Sequence, residues 1–145
     1  MPSQELRRKI AEVALSWVGT PFFPHMAKKG VGADCVNLVL AVAEEAGAVP
    51  AGTLAFPSYS LSCGPHLHSS IVVDWLSHCK WARRVEQIDL GNLITFKVGR
   101  VDHHTGIVVG PTTFVQSIRH YGVIVSDLRD STWENRLQTI WELAL

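Results

Sequence analysis

The chain has 145 residues with 13 basic and 13 acidic side chains; 18% are charged, 47% are hydrophobic and the formal net charge is zero. That is enough for one domain with its own core, too apolar for disorder, and without the basic excess that would make nucleic acid an expected partner. Its unusual content is seven histidines and three cysteines.

Ser3 has N-cap chemistry, and Leu6, Ile10, Val13, Ala14 and Trp17 recur at helical spacing. They predict an amphipathic helix over 3–17, ended by Gly19, Thr20 and Pro21. Residues 22–33, bounded by Pro21 and Pro24 at one end and Gly30 and Gly32 at the other, predict an ordered loop. Asp34 can cap a second helix, which puts Cys35 in its first turn and runs to Gly47. That helix is apolar on most faces, the pattern of one buried in the middle of a domain. Residues 48–66, rich in Pro, Gly and Ser, predict a long connection. A short amphipathic helix follows over 69–80, with Val72, Trp75, Leu76 and Cys79 on its apolar side. The period then changes. Segments 92–98, 104–109, 114–118 and 123–126 predict strands, with turns at Gly99 and Arg100, Gly110 and Pro111, and Tyr121 and Gly122. Residues 131–134 match a capping box, with Ser131 as cap, and predict one helical turn; 138–143 predict a last strand. Helices first and an antiparallel sheet afterwards make a single α+β domain over 1–145.

The cysteines, Cys35, Cys63 and Cys79, are odd in number, widely spaced and free of a C-x-x-C pair, which argues against a disulfide framework or a structural zinc site. The N-terminus has no uninterrupted apolar core of a secretory signal, and no apolar run approaches the roughly 18–20 residues of a membrane span. The expectation is synthesis in the cytoplasm without a signal peptide, no membrane partner, and a free thiol. Cys35 is the candidate: a helix start favours negative charge and lowers thiol pKa. It should therefore label far below pH about 8.5, the value of an ordinary thiol. Cys63 and Cys79 read as a loop bystander and a core filler.

A thiol nucleophile needs a base, and the base needs an orienting group. His103 and His104 precede the apolar run Ile107, Val108, Val109. Adjacent strand residues face opposite ways, so at most one can serve. On a regular hairpin Gln116 shares a face with His104 and not with His103, and could fix the His104 tautomer. His25 could line the cleft. His66 and His68 have only the spacing of a metal half-site, His78 and His120 read as surface or turn residues, and the five tryptophans read mostly as core packing. Neither metal nor cofactor is expected.

The stretch from Ser16 to Gly47 resembles the nucleophile region of the NlpC-type cell-wall cysteine peptidases, closest to the branch found in phage tails and gene-transfer particles. That family's Gly-x-Asp-Cys-x-x-Leu-Val element is matched by Gly32, Asp34, Cys35, Leu38 and Val39, and its His-x-Gly-Ile strand by His104, Gly106 and Ile107. The latter selects His104 over His103. Phe114, Val115 and Gln116 match the register of its third polar residue. The resemblance implies a papain-like α+β fold, a Cys35–His104–Gln116 triad, and no cofactor. It implies a thioester intermediate, and as substrate a peptidoglycan stem peptide cut at a D-glutamyl–diaminopimelate type bond. Phe22, His25, Asp34 and His103 are the implied substrate-binding positions. Phage tail proteins are the implied partners, and the virion tail or the cell wall the implied destination. Three positions depart from the pattern: Gln116 stands where His is frequent, Asn92 follows Gly91 where Asp is usual, and Phe22 stands where a Tyr is usual. The rival readings are a tail-assembly protein without chemistry on the same fold, and an interbacterial amidase toxin.

Overall fold

The computed structural model describes residues 2–50, 71–98 and 101–143. Most of the 48–66 connection, with Cys63, His66 and His68, lies outside the described residues, as does the turn at Gly99 and Arg100.

Helix α1 (Gln4–Ser16) starts where its cap predicts: Ser3 Oγ accepts the Leu6 N–H at 3.1 Å. Helix α2 (Cys35–Glu45) is capped by Asp34. Between them, the loop contains a two-stranded ribbon that periodicity does not reveal, β1 (Ala27–Lys28) antiparallel to β2 (Gly32–Ala33). Helix α3 (Ile71–Ser77) ends three residues before its predicted span does. The sheet has six strands: β3 (Ala82–Val85), β4 (Leu93–Val98), β5 (Val101–Val108), β6 (Thr113–Ile118), β7 (Gly122–Asp127) and β8 (Leu137–Leu143). The one-turn helix α4 (Ser131–Glu134) precedes β8; its cap is Asp130, whose carboxylate accepts the Thr132 N–H at 2.9 Å, and not Ser131 as the capping-box reading had it. Aspartate is as good a cap as serine and stands one residue earlier.

The strand order is β3-β8-β4-β5-β6-β7, every pair antiparallel. The last strand thus returns to lie between β3 and β4. β3 was not expected: its central Arg83 and Arg84 are both exposed on the sheet edge, so it has no apolar alternation to read. One sheet face packs on α1 and α2 through Leu93, Ile107, Val115, Trp141 and Leu143. α2 is the centre of that core, with Val36, Leu38, Val39, Val42 and Ala43 buried. The other face holds a smaller core of Ile94, Phe96, Val108 and Phe114, covered by Leu128, Trp133 and Leu137. The fold is α+β, as expected.

A buried ion cluster ties α1 to the sheet. Arg7 is 2% exposed and donates to Glu142 Oε1 at 2.8 Å and to the Leu90 carbonyl at 3.0 Å. Arg83 donates to Glu142 Oε2 at 2.6 Å. Burial alone would raise the Glu142 pKa, but the hydrogen bonds from Arg83 and Arg7 outweigh it and hold the carboxyl below its ordinary value. Gly91 sits against this corner at φ 79°, where a Cβ would stand 3.1 Å from the Arg7 carbonyl oxygen. Asn92 takes the place of the usual Asp here: wholly buried, it accepts the Asp89 N–H through Oδ1.

Candidate active site

The segment that carries Cys35 to the sheet is clamped at many points. Asp34 is wholly buried. Its Oδ1 accepts the Asn37 N–H at 2.8 Å, closing the helix cap, and its Oδ2 accepts the His25 N–H at 2.6 Å and the Asn37 side-chain amide at 2.8 Å. The same carboxylate therefore starts α2 and holds the loop across from it, with His25 at φ 61°. Gly32 is there because nothing larger fits: a Cβ would lie 2.6 Å from Phe23 Cβ and 2.8 Å from Met26 Sδ. Two strand hydroxyls grip the helix entry from the sheet, Ser117 donating to the Ala33 carbonyl at 2.6 Å and Thr105 to the Cys35 carbonyl at 2.8 Å. The Gly-x-Asp-Cys pattern is thus a packing requirement at Gly32, a cap at Asp34, and a side chain free of both duties at Cys35.

Cys35 is half-buried. Its thiol meets the backbone N–H and hydroxyl of Thr105, the β5 residue next in sequence to His104. The thiol pKa is pushed up to about 11: burial is the main cause and the Asp34 carboxylate the second, while hydrogen bonds from Thr105 and the Val36 N–H pull it back only in part. This reverses the expectation drawn from the helix start. The dipole does favour the thiolate, but desolvation and an adjacent carboxylate outweigh it.

His104 is half-buried on the other side of β5. The β4–β5 register passes from Phe96–His104 to Lys97–Asp102, so His103 is the extra residue of a bulge and His104 resumes the ladder. The β5–β6 ladder runs Ile107–Val115 and Val108–Phe114. Continued by three residues, that register sets His104 opposite Ile118 and so diagonally across from Gln116 on one face. His104 Nε2 and Gln116 Oε1 are 2.5 Å apart. The Gln116 amide nitrogen donates to Ser126 Oγ of β7 at 2.7 Å, so Oε1 is the group that faces the ring. Nε2 then carries the imidazole proton and Nδ1 its lone pair. Gln116 is wholly buried. Burial lowers the His104 pKa below its ordinary value, against the opposing pull of the Gln116 hydrogen bond. Gly106 matters to this arrangement, since a Cβ there would stand 2.9 Å from the Phe114 ring.

The other sequence candidates fall out as follows. Phe22 is half-buried and its backbone bridges Ala33, so it lines the loop immediately before the nucleophile segment. His25 is exposed at the turn of that loop. Asp34 is corrected from a substrate contact to a structural clamp: it has no exposed surface and both its oxygens are hydrogen-bonded. His103 lies in the bulge, and its side chain is outside the described residues. His78 and His120 are exposed, as expected. Sequence reasoning missed Thr105, Ser117 and Ser126, whose hydroxyls organise the site, and Trp133, whose indole stacks on the His104 ring with centroids 5.6 Å apart. Among the described residues, no group of three or more His, Cys, Asp or Glu side chains could hold a metal ion, and no helix is long and apolar enough to cross a membrane.

Helix α2 carries a thiol at its start, and the antiparallel sheet it packs on carries an imidazole oriented by a neutral amide. The sequence model of the NlpC/P60 family matches residues 19–142, and the chain belongs to that family. Its fold is similar to that of an NLP/P60-family protein, described as similar to lipoprotein, from Staphylococcus aureus subsp. aureus Mu50, with a TM-score of 0.68 at 19% identity over 99% of this chain and 43% of that one. An NlpC/P60 family protein from Bacillus cereus ATCC 10987 gives 0.66 at 18% identity, over 99% and 41%. The NlpC/p60 domain of the peptidoglycan hydrolase SagA gives 0.62 at 13% identity, over 94% and 98%. The chain spans less than half of the first two proteins and corresponds to nearly the whole of the SagA domain. No curated protein matches it by sequence.

Proposed function

We propose that the chain is a cysteine-type peptidoglycan hydrolase that cuts a stem-peptide amide through Cys35, His104 and Gln116. The observation that carries this reading is that Thr105, which holds the Cys35 thiol, adjoins His104 on β5, and that His104 is hydrogen-bonded on to Gln116 and Ser126. Family membership supports the reaction type, and the likeness to the SagA domain supports the substrate class.

In this mechanism His104 Nδ1 takes the thiol proton as Sγ attacks the amide carbonyl carbon. Gln116 holds the imidazole in the tautomer that leaves Nδ1 free to accept, and its oxygen steadies the imidazolium that forms. The oxyanion develops at the start of α2, where the helix dipole favours negative charge. His104 then gives its proton to the leaving nitrogen, the C–N bond breaks, and a thioester remains on Cys35. Water, deprotonated by His104, hydrolyses it. The bond we assign is the D-glutamyl–diaminopimelate type. The resemblance to the phage-tail branch supports a place for the chain in a phage tail or phage-like particle. Its zero net charge suits delivery by such an assembly better than electrostatic capture on anionic wall polymers.

A second reading, a non-catalytic tail-assembly protein, draws on Phe22 in place of the usual Tyr and on a thiol held high in pKa. Purified sacculi incubated with the chain and with its Cys35→Ala variant separate the two. Release of stem-peptide fragments by the first and not the second, identified by mass spectrometry, is the expected result. Release by both would remove Cys35 from the mechanism, and release by neither would favour the assembly reading.

A further inference from the structure

The sequence reading treats the tryptophans mostly as core filling, and α4 looks at first like a mere connection between β7 and β8. Its one large side chain has a more particular location. The Trp133 indole stacks on the His104 imidazole, with centroids 5.6 Å apart and planes 27° from parallel. It is itself held from behind: Phe96 meets it edge-on at 5.4 Å and Phe114 at 5.9 Å. Phe96 also touches the imidazole, at 5.7 Å. Both phenylalanines are wholly buried, whereas α4 itself buries no residue completely. Trp133 is thus a half-exposed plate with a fixed back. Its backbone is tied down as well, by its N–H bond to the Asp130 carbonyl at 3.0 Å.

We propose that Trp133 is a positioning residue for His104: it fixes the plane of the imidazole and closes the His104–Gln116 hydrogen bond to water. The inference rests on the reading of His104 as the base. A ring held at one nitrogen by Gln116 can still rock about that bond, and a stacked indole removes the rocking. A side chain that must present Nδ1 to the thiol gains from this, because small misplacements of reacting groups are costly in rate. Water exclusion also strengthens the hydrogen bond it surrounds. The groups facing the imidazole from packed elements are Phe96 of β4, Gln116 of β6 and Trp133 of α4, none of which titrates. The titrating side chains of α4 and its cap, Asp130 and Glu134, are exposed.

The test is nuclear magnetic resonance on the full chain with labelled histidine, in the wild type, Trp133→Leu and Trp133→Phe, with His104→Gln to assign the signal. The imidazole Nε2–H should exchange with water at least about tenfold faster in the Leu variant and within about twofold of wild type in the Phe variant. The His104 titration midpoint should rise in Trp133→Leu, because water then reaches the ring. In sacculus digestion Trp133→Leu should lower kcat by about tenfold or more with KM unchanged. Unchanged exchange and an unchanged midpoint in Trp133→Leu would overturn the proposal. So would loss of the fold in that variant, since the indole would then be core. Exchange and titration need no hydrolysis, so a wild type inert on sacculi would defeat the proposed function without touching these readouts.

Discussion

Asp34 does two things that pull in opposite directions, and substitution separates them. As a cap and clamp it stabilises: it closes α2 on the Asn37 N–H at 2.8 Å and holds the His25 N–H at 2.6 Å. As a charge it works against the nucleophile, being the second cause of the raised Cys35 pKa. Removing the cap in Asp34→Ala should cost about 1 kcal/mol. Losing the charge-assisted bond to His25 should cost about 1.5–3 kcal/mol more. Because His25 sits at φ 61°, a conformation that a non-glycine residue holds only under constraint, the loop should relax once that bond is gone. The sum is about 2.5–4 kcal/mol, read as a shift in the urea midpoint. Asp34→Asn keeps the Oδ1 cap but turns an amide N–H toward the His25 N–H, so it should lose roughly half as much. Both variants remove the carboxylate. In a chain with Cys63 and Cys79 changed to serine, the alkylation rate of Cys35 against pH should therefore rise at lower pH than in the wild type, whose midpoint is about 11. The expected result is a protein that is less stable and more reactive at the same pH. If Asp34→Asn alkylates at the same or a higher pH, the charge argument is refuted. If Asp34→Ala keeps the wild-type urea midpoint, the clamp argument is.

Glu142→Ala should destabilise the chain by about 3–5 kcal/mol in urea, because it removes the buried carboxylate paired with the buried Arg7 guanidinium. The same carboxylate sets an acid limit. Its folded pKa lies below the ordinary 4.5, so as pH falls past that value the unfolded chain takes up a proton that the folded chain refuses. Stability should fall progressively from there through the lower folded value, and the slope should be shallower in Glu142→Gln. Gly32→Ala should cost about 1–3 kcal/mol by forcing a Cβ against Phe23 and Met26, measured by thermal unfolding. Gln116→Glu should raise the His104 titration midpoint by placing a carboxylate on Nε2, observable by resonance titration; a midpoint unchanged or lowered would contradict the contact.

The parts of this molecule that were legible in the sequence are those decided within a few residues. Ser3 and Asp34 cap their helices where local chemistry places them, and the parity that pairs His104 with Gln116 follows from a short turn at Gly110 and Pro111. What was not legible is decided by distant chain. β3 becomes a strand because β8 returns beside it, with Arg84 opposite Trp141. Trp133 becomes a neighbour of His104 because α4 docks on the ring cluster of β4 and β6. Thr105 and Ser117 read as ordinary strand residues, although the parity used for His104 would have put the pair on the opposite face, toward α2, where their hydroxyls grip the helix entry. The thiol was misjudged for a similar reason. The helix start can be read locally, whereas the desolvation that overrides it needs the sheet against which Cys35 is pressed.

That misjudgement changes how the proposed chemistry has to begin. A thiol raised to about 11 and an imidazole lowered by burial rest as neutral groups at pH 7, not as a preformed thiolate and imidazolium. Separating charge between them must be helped at the moment of reaction. The groups that favour the charged forms are in place: Thr105 and Val36 for the thiolate, and Gln116 for the imidazolium. Against them stand burial, on both partners, and Asp34. A bound amide changes this balance, because the proton leaves as Sγ bonds to carbon and the negative charge passes to the carbonyl oxygen. It no longer rests on sulfur, where Asp34 opposes it. A resting centre of this kind is poorly reactive toward oxidants and alkylating agents, which attack the thiolate. The raised thiol, which alone would argue against catalysis, is consistent with a nucleophile that is formed by its substrate rather than stored.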